Sequence, residues 1–197
     1  MRIVGGRFRG RALSAPQGLD VRPTSDRARE GIFNILAHGI DWPGFDGITV
    51  IDVFSGTGAY ALEALSRGAD HAVFVDNNLT SLNCAKGNAA ACGEGRNISV
   101  LKLDATRLPP PPRAAKTPAP LAFLDAPYNQ NLTGPALLGL AHKGWLAPGA
   151  IVVVEVAADE EIPLVSGYQP LDERDYGAAH IAFFRYGIAE PSGSGQA

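Results

Sequence analysis

Short apolar runs alternate with amphipathic segments along most of this chain. Residues 48–54, 71–76, 98–103 and 121–124 form runs rich in Val, Ile, Leu and Phe, which is typical of buried strands. Segments with helical spacing separate the first three runs. Strands that alternate with helices in this way predict an α/β fold built on a mostly parallel sheet.

The first helix is predicted ahead of the first strand. Pro23 and Thr24 signal a helix start, with Thr24 as the N-cap and Asp26 in the first turn. Apolar residues then recur on one helical face. Gly39 is expected to end this helix.

Further elements follow the first strand. One helix is predicted at residues 59–67, closed by Gly68, and a second of about fourteen residues begins at a cap formed by Asn77 or Asn78. After the fourth strand, the pattern predicts a helix at residues 137–142, a strand at 150–156 and two strands within 168–186.

The first strand breaks into two glycines before the helix at residue 59. Gly56 and Gly58 lack a Cβ atom, which lets the backbone approach a ligand closely. The following helix directs its unpaired N–H groups and the positive end of its dipole at the same place. This strand, turn and helix therefore predict a site for a nucleotide-like cofactor.

Two classes of cofactor fit this turn. Residues 56–61 match the G-x-G-x-x-G/A pattern of dinucleotide-binding enzymes, with the acidic Asp76 twenty residues after Gly56. Asp52 at the strand end favours S-adenosyl-L-methionine instead, because a carboxylate repels a pyrophosphate and attracts an ammonium and a sulfonium group. A purely structural role for Asp52, as a cap on the turn, is the simpler alternative.

Three consecutive predicted strands end in an aspartate. Asp52, Asp76 and Asp104 would therefore lie together at the carboxyl edge of a parallel sheet. Asp76 suits both ribose hydroxyls of a cofactor, and Asp104 suits an adenine amino group, although each also suits a helix N-cap. The predicted cofactor site comprises Asp52, Phe54, Ser55, Gly56, Gly58, Asp76, Asn77, Asp104 and Ala105.

The fourth predicted strand ends in a further acid, Asp125, which is followed by Ala126, Pro127 and Tyr128. An exocyclic base amine is a poor nucleophile because its lone pair is delocalised into the ring. The Asp125 carboxylate and the Ala126 carbonyl can accept hydrogen bonds from such an amine and orient it. Pro127 stiffens the turn, and Tyr128 offers a face on which a flipped base stacks. In isolation the same four residues also fit an ordinary strand-ending turn.

Charge is distributed unevenly over the 197 residues, whose net charge is −3. Residues 1–30 hold seven arginines and three acidic residues, a charge of +4, which leaves −7 for the remainder. Arginines interleaved with glycine and Phe8 suit phosphate backbones and unstacked bases, so RNA contact is predicted. The first 13 residues are expected to form an exposed, mobile hairpin that presents Arg2, Arg7, Arg9 and Arg11.

Composition limits the remaining classes of protein. One domain is predicted at residues 21–186, preceded by a basic arm at 1–20 and followed by a disordered tail at 187–197. No apolar run reaches the roughly 20 residues needed to span a bilayer, and no signal peptide is recognisable, so a cytoplasmic protein is expected. The two cysteines and four histidines lack metal-ligand spacing, so neither a metal site nor a disulfide is predicted.

Taken together, these motifs resemble the methyltransferases with a D/N-P-P-Y/F motif, and among them the bacterial 16S rRNA guanine-N2 methyltransferases of the RsmD type. The resemblance extends over almost the whole chain, to about residue 186. The family usually has proline where this chain has Ala126; the main-chain carbonyl is retained, so we expect the same reaction with a less rigid loop. The resemblance rests on residues 1–6, 9–11, 22–24, 29–34, 52–58, 125–128 and 176–177.

The resemblance implies a Rossmann-like class I methyltransferase fold, with a mostly parallel seven-stranded sheet, an antiparallel last strand, helices on both faces and a small N-terminal hairpin. It implies S-adenosyl-L-methionine as the methyl donor. The implied acceptor is the exocyclic N2 amine of one guanine in 16S rRNA, either naked or in a partly assembled small ribosomal subunit, and a monomer is expected. Arg22, Thr24 and Arg29 would lie beside the active site and position the cofactor or the RNA.

Three other functions remain compatible with the sequence. The same motif methylates adenine N6 or cytosine N4 in DNA, although the chain leaves no room for a separate DNA-recognition domain. An RNA-binding assembly factor would depend on the basic arm rather than on catalysis. A dinucleotide oxidoreductase would use the glycine turn, and Asp52 disfavours it.

Overall fold

The structure, a computed structural model, describes residues 1–16 and 25–187. Within these residues, four helices surround one sheet, and three short 3₁₀ turns lie at Gly6–Phe8, Ala105–Arg107 and Arg113–Ala115. The helices are α1 (Asp26–His38), α2 (Ala59–Ser66), α3 (Leu79–Ala91) and α4 (Thr133–His142). The strands are β1 (Thr49–Val53), β2 (His71–Asp76), β3 (Ile98–Lys102), β4 (Ala119–Asp125), β5 (Leu146–Ala157), β6 (Tyr168–Tyr176) and β7 (Ala179–Tyr186).

The seven strands lie in the order β3-β2-β1-β4-β5-β7-β6. The first five strands of the chain pair in parallel, whereas β7 inserts between β5 and β6 and is antiparallel to both. The chain order reverses on either side of β1 and β4, which is where open α/β sheets form their ligand crevice. This topology confirms the Rossmann-like class I fold with helices on both faces.

Each face of the sheet has its own hydrophobic core. Side chains of α1, α2 and α3 pack on one face around Val50, Phe74 and Phe123. Side chains of α4 and of the first 3₁₀ turn after β3 pack on the other face around Ile51, Val73 and Leu124. Because successive strand residues point to opposite faces, these two triplets also show which face each strand-end residue occupies.

Helix α1 begins one residue later than the sequence predicts. Its N-cap is Ser25, whose hydroxyl accepts a hydrogen bond from the Ala28 amide at 3.1 Å, so the prediction of Thr24 as the cap is wrong. Serine and threonine are both favourable N-caps, and serine is the better of the two, which agrees with Ser25 as the cap. Thr24 itself lies outside the described residues. Asp26 in the first turn and the helix end at Gly39 are confirmed.

Two elements are longer than predicted. Helix α4 starts at Thr133 rather than at residue 137, since Gly134 and Pro135 occupy a first turn in which amide hydrogens have no intrahelical partner anyway. Strand β5 starts at Leu146 rather than at residue 150, because Ala119 at the start of β4 pairs with Leu146 ahead of an irregularity.

The N-terminal segment is a hairpin that packs onto the domain. An antiparallel bridge joins Arg2 to Ala12, and the Ile3 amide donates to the Arg11 carbonyl at 2.9 Å. Ile3 is 1% exposed and Leu13 is 8% exposed, so both belong to the hydrophobic core. The four arginines of the hairpin are exposed, as predicted, and its mobility stays a prediction.

Helix α2 supplies the anchors for this segment. The buried Glu63 carboxylate accepts from the Val4 amide at 2.8 Å. The Ser66 hydroxyl donates to the Gly5 carbonyl at 2.6 Å and accepts from the Phe8 amide at 2.9 Å. The tip of the hairpin thus lies at the carboxyl end of α2, which is the end remote from the glycine turn.

The predicted tail at residues 187–197 lies outside the described residues except for Gly187. Within the described part of the chain, no helix is both long enough and apolar enough to cross a membrane.

Candidate active site

A cavity of about 630 Å³ opens at the carboxyl edge of the sheet, beside β1, β2 and β4. The glycine turn forms one wall and the residues that follow β4 form another. Several predicted cofactor and catalytic residues therefore meet in one space. Those that line the cavity are Asp52, Phe54, Ser55, Gly56, Asp76, Asn77, Asp125, Ala126, Pro127 and Tyr128.

Carboxyl groups converge on one face of this edge. Asp52, Asp76 and Asp125 follow the alternation of Val50, Phe74 and Phe123, so they share the face covered by α1 to α3. Glu155 at the end of β5 pairs in register with Asp125 and occupies the same face. The carboxyl groups of Asp52, Asp76 and Asp125 line the cavity together with the Arg29 side chain, so acidic groups outnumber basic ones there.

The glycine turn is held by the acid at the end of β2. Asp76 accepts from the Gly56 amide at 3.0 Å with one oxygen and from the Asn78 amide at 2.8 Å with the other. Asn78 is the N-cap of α3, so Asp76 joins the turn to the start of that helix. Each carboxylate oxygen retains a lone pair for a ligand hydroxyl.

The two glycines of the turn serve different purposes. A Cβ atom on Gly56 would find nothing closer than the Phe54 carbonyl oxygen at 3.9 Å, so this residue faces open space. A Cβ atom on Gly58 would lie 2.8 Å from the Phe74 ring and 3.1 Å from the Ala85 Cβ. Gly58 does not line the cavity, and its missing Cβ allows the turn to pack closely against β2 and α3. A contact between Gly58 and the cofactor stays a prediction.

Asp52 is buried at 1% exposure and lines the cavity. One of its oxygens accepts from the Ala61 amide in the first turn of α2 at 3.1 Å. Burial raises the pKa of this carboxyl group to about 8, and the neighbouring Asp76 adds to the rise, whereas the bond from Ala61 opposes it. Asp52 therefore caps the start of α2, as the structural alternative predicts, and it also forms part of the cavity wall.

Asp104 and Ala105 lie outside the cavity. Asp104 is the N-cap of a 3₁₀ turn, where it accepts from the Thr106 hydroxyl at 2.7 Å and the Thr106 amide at 2.9 Å. The hydroxyl bond is the main cause of the lowered pKa of Asp104. The structure gives this aspartate the capping role, and a contact between Asp104 and the cofactor stays a prediction.

The residues after β4 are tied to β5. Tyr128 donates its hydroxyl hydrogen to one oxygen of Glu155 at 2.7 Å. The Asn129 amide donates to the Glu160 carboxylate at 2.9 Å. Ala126 is buried and Pro127 is exposed, so the wall that faces the cavity combines a carboxylate, a backbone turn and an aromatic ring.

Some residues of the site are not recognisable from the sequence. Tyr60 lines the cavity, and its hydroxyl donates to the second oxygen of Glu155 at 2.5 Å. Glu155 ends the fifth predicted strand, but nothing in the sequence links it to two tyrosines on other elements. Met1 also lines the cavity, with its sulfur 3.5 Å from the Thr57 hydroxyl oxygen.

The predicted RNA-contacting arginines are scattered. Arg29 is 1% exposed, lines the cavity and donates to the Arg2 carbonyl and to the Asp26 carboxylate. Arg2 pairs with Asp26 at 3.2 Å and Arg7 pairs with Glu94 at 2.8 Å. The Arg11 guanidinium donates to the carbonyl of Ala91, Arg9 is exposed, and Arg22 and Thr24 lie outside the described residues.

A search of residues 1–16 and 25–187 finds no group of three or more His, Cys, Asp or Glu side chains that could hold a metal ion. Cys84 and Cys92 are both unbridged thiols.

Residues 1–185 match the family model described as conserved hypothetical protein 95. The chain belongs to this family, which is of the RsmD type. Two RsmD-type relatives are named ribosomal RNA small subunit methyltransferase D. The Escherichia coli K12 protein is 34% identical over 187 residues, covering 94% of this chain and 89% of the relative. The Haemophilus influenzae protein is 30% identical over 189 residues, covering 94% and 93%.

Solved methyltransferase structures share the fold of this chain. The structure of yhhF from Escherichia coli has a TM-score of 0.79 and 30% identity, and the alignment covers 96% of this chain and 99% of that one. An RNA methyltransferase from Salinibacter ruber, solved in complex with S-adenosyl-L-homocysteine, has a TM-score of 0.60, with coverage of 87% and 97%. At 16% identity this second likeness concerns the fold alone.

Proposed function

We propose that this RsmD-type protein transfers a methyl group from S-adenosyl-L-methionine to the exocyclic N2 amine of a guanine in 16S rRNA of the small ribosomal subunit. One observation carries the proposal. Asp125, Ala126 and Tyr128 line the same cavity as the glycine turn, so an amine held by Asp125 lies within reach of a cofactor held at the turn.

S-adenosyl-L-methionine fits the residues of the cavity. Asp52 and Asp76 supply negative charge for its cationic methionine end and acceptors for its ribose. The Ser55 hydroxyl is buried, lines the cavity and has no hydrogen-bond partner among the described residues, so it is available to a polar ligand. Gly56 leaves open space for close approach of a ligand to the backbone. When bound, this cofactor supplies an electrophilic methyl group on a sulfonium.

The chain's own residues hold and orient the base. The Asp125 carboxylate and the Ala126 carbonyl accept hydrogen bonds from the amine, which localises its lone pair and directs it at the methyl carbon. The face of the Tyr128 ring supports the plane of a base extruded from its stack. As the new N–C bond forms, the bond between the methyl carbon and the sulfonium sulfur breaks, and the Asp125 carboxylate accepts the proton that the nitrogen loses.

The base that is methylated, the compartment and the oligomeric state are parts of the proposal that the names of the relatives do not state. Ribosomal RNA is preferred to DNA because the two named relatives are ribosomal RNA methyltransferases. The choice of guanine N2 rests on the resemblance of the motifs to the guanine-N2 methyltransferases. The proposal includes a monomer that acts in the cytoplasm on rRNA or on a partly assembled subunit, without a metal ion.

Methyl transfer in vitro tests this function. The protein is incubated with labelled S-adenosyl-L-methionine and either 16S rRNA or small subunits from cells that lack the modification, and the products are digested to nucleosides. We expect N2-methylguanosine as the labelled product, and Asp125→Asn protein serves as the negative control. A labelled adenine or cytosine derivative, or no transfer to either substrate, would refute the proposal.

A further inference from the structure

We propose that Glu155 is a positioning residue that sets the orientation of the Tyr128 ring in the cavity. This inference rests on the proposed function, in which Tyr128 supports the base. Glu155 is 4% exposed and does not line the cavity, so it acts through Tyr128 and not on the substrate itself.

The carboxyl group of Glu155 is shared between two tyrosines. Its Oε1 accepts from the Tyr128 hydroxyl at 2.7 Å, and its Oε2 accepts from the Tyr60 hydroxyl at 2.5 Å. A buried carboxyl group needs such partners, since an unsatisfied one is costly in a low-dielectric interior. The two bonds therefore fix the direction in which each phenol points.

The two tyrosines differ in how firmly their backbones are held. Tyr60 lies in the first turn of α2, and its ring stacks on Phe123 of β4 with centroids 4.8 Å apart and planes 13° apart. Tyr128 lies in the turn after β4, outside any helix or strand. Glu155 thus connects the Tyr128 ring, which lies on a loop, to two firmly held parts of the fold, Tyr60 and β5.

The loop itself needs support of this kind. Ala126 lacks the φ restriction that proline would impose at this position. Asn129 and Asn131 adopt φ values of 57° and 55°, in the left-handed region that non-glycine residues seldom occupy. Glu160 holds the loop at a second point through the Asn129 amide, so two carboxylates from the end of β5 and just beyond it supply the rigidity.

The orientation of the ring matters because stacking fixes the plane of the base. In this proposal, a base resting on Tyr128 presents its edge, and hence its amine, to Asp125, the last residue of β4 and three residues before Tyr128. A rotated ring would direct the amine away from Asp125 and lower the rate of transfer, while the cofactor residues at the glycine turn would be unaffected.

A double-mutant cycle on the full chain tests the inference, with Glu155→Leu, Tyr128→Phe and the double variant compared in single-turnover methyl transfer. Both single variants remove the bond between Tyr128 and Glu155, and Glu155→Leu also removes the bond from Tyr60. Each should slow transfer about 10- to 100-fold, the range for a hydrogen bond to a charged group. The double variant should be no slower than Glu155→Leu, because the bond is already absent. Glu155→Gln keeps one acceptor oxygen and should recover part of the rate.

Tyr168→Phe is the matched control. It removes another phenol bond, from Tyr168 to the Leu137 carbonyl at 2.7 Å, in a tyrosine that does not line the cavity. This control should lower the melting temperature without slowing transfer. The affinity for S-adenosyl-L-methionine, measured by calorimetry, should stay close to that of wild type in every variant.

NMR of labelled tyrosine rings, recorded without RNA, separates this inference from the proposed function. Glu155→Leu and Glu155→Gln should shift the Tyr128 ring signals, whereas Tyr168→Phe should leave them in place. Unshifted Tyr128 signals, or single-variant rate losses that multiply in the double variant, would overturn the positioning role. If the signals shift but wild-type protein methylates no guanine, the positioning role stands and the proposed function fails.

Discussion

At the scale of single residues, Asp52 combines a structural and a chemical role. One oxygen accepts from the Ala61 amide at the start of α2, and the side chain also forms part of the cavity wall. Burial raises its pKa to about 8, so the ligand-free site keeps a proton on this group at neutral pH. A cation bound beside Asp52 would favour the ionised form.

The free energy of unfolding of the ligand-free protein should fall as pH rises from 3.8 to about 8. Over this interval the folded state keeps the Asp52 proton, whereas the unfolded state releases it. The contribution of Asp52 to the free energy of unfolding is therefore fully present below the pKa of the unfolded state, and it is lost as the pH rises through the pKa of the folded state. The slope from this group should reach up to about 1.4 kcal/mol per pH unit. Urea denaturation at several pH values measures it.

Asp52→Asn is the control for this pH dependence. Asparagine keeps an oxygen that can accept from the Ala61 amide, but it does not ionise, so this part of the slope should disappear. A slope that is the same in Asp52→Asn and wild-type protein would show that the proton responsible lies on another group.

Asp125→Asn should abolish most methyl transfer and leave S-adenosyl-L-methionine affinity nearly intact. The substitution removes a negatively charged acceptor at the amine, and we expect a loss of about 100-fold or more, similar to the loss of one oriented transition-state partner. Single-turnover transfer and calorimetry measure the two effects. Asp70→Asn, an exposed aspartate just before β2 at the opposite edge of the sheet, is the control. Wild-type turnover in Asp125→Asn would mean that another group holds the amine.

The positions that the sequence predicts correctly depend on strand periodicity. Asp52, Asp76 and Asp125 follow three apolar runs, and parallel pairing alone is enough to bring them to one edge. The contacts that it misses join distant elements. The sequence does not show that Gly58 packs against Phe74 and Ala85, and the partners of Glu155 lie 95 and 27 residues away.

At the scale of elements, α2 serves both the glycine turn and the N-terminal hairpin. Its first turn faces the cavity, and its last turn holds Gly5 and Phe8 through Ser66. Gly6 lies so close to this helix that a Cβ atom would be 2.0 Å from the Ser66 carbonyl oxygen. The hairpin is thus fitted to the helix at backbone level.

Gly6→Ala should destabilise the protein by about 3 kcal/mol or more, because the new methyl group collides with backbone that has little room to move. Gly10→Ala is the matched control. Both glycines have positive φ, 70° and 85°, but a Cβ atom on Gly10 meets nothing within 4 Å. Gly10→Ala should cost only about 1–2 kcal/mol, the energy of placing alanine in the left-handed region. Urea denaturation compares the two variants, and equal losses would contradict the docked hairpin.

Element bounds are predicted best where one strong local signal stands alone. Strand β2 begins and ends as predicted at His71 and Asp76, because turn residues flank an uninterrupted apolar run. The first residues of β4 and β5 are missed. They belong to the strands because Ala119 pairs with Leu146, and this pairing follows from the arrangement of the two strands. The hairpin was recognisable as a turn, but its burial depends on Glu63 and Ser66 some sixty residues away.

At the scale of the whole molecule, internal pairing reduces the positive charge that the N-terminal segment presents. Arg2 and Arg7 pair with Asp26 and Glu94, and the Arg29 side chain is buried. Among the described residues, Arg9 is exposed and forms no ion pair. It lies near the hairpin tip, which is held at the carboxyl end of α2, and this helix of 8 residues is about 12 Å long. An RNA strand that follows the hairpin from the cavity would contact Arg9.

Arg9→Gln should weaken rRNA binding and reduce its salt dependence. Each phosphate that loses its cation lowers the slope of log K against log salt by about 0.7 to 0.9. Arg113→Gln is the matched control, because this arginine is exposed in a 3₁₀ turn whose Ala115 packs in the core on the other face of the sheet. Filter binding between low and physiological salt measures both slopes, and cofactor affinity should not change. If Arg9→Gln and wild-type protein share one slope, the RNA leaves the cavity in another direction and the hairpin serves the fold alone.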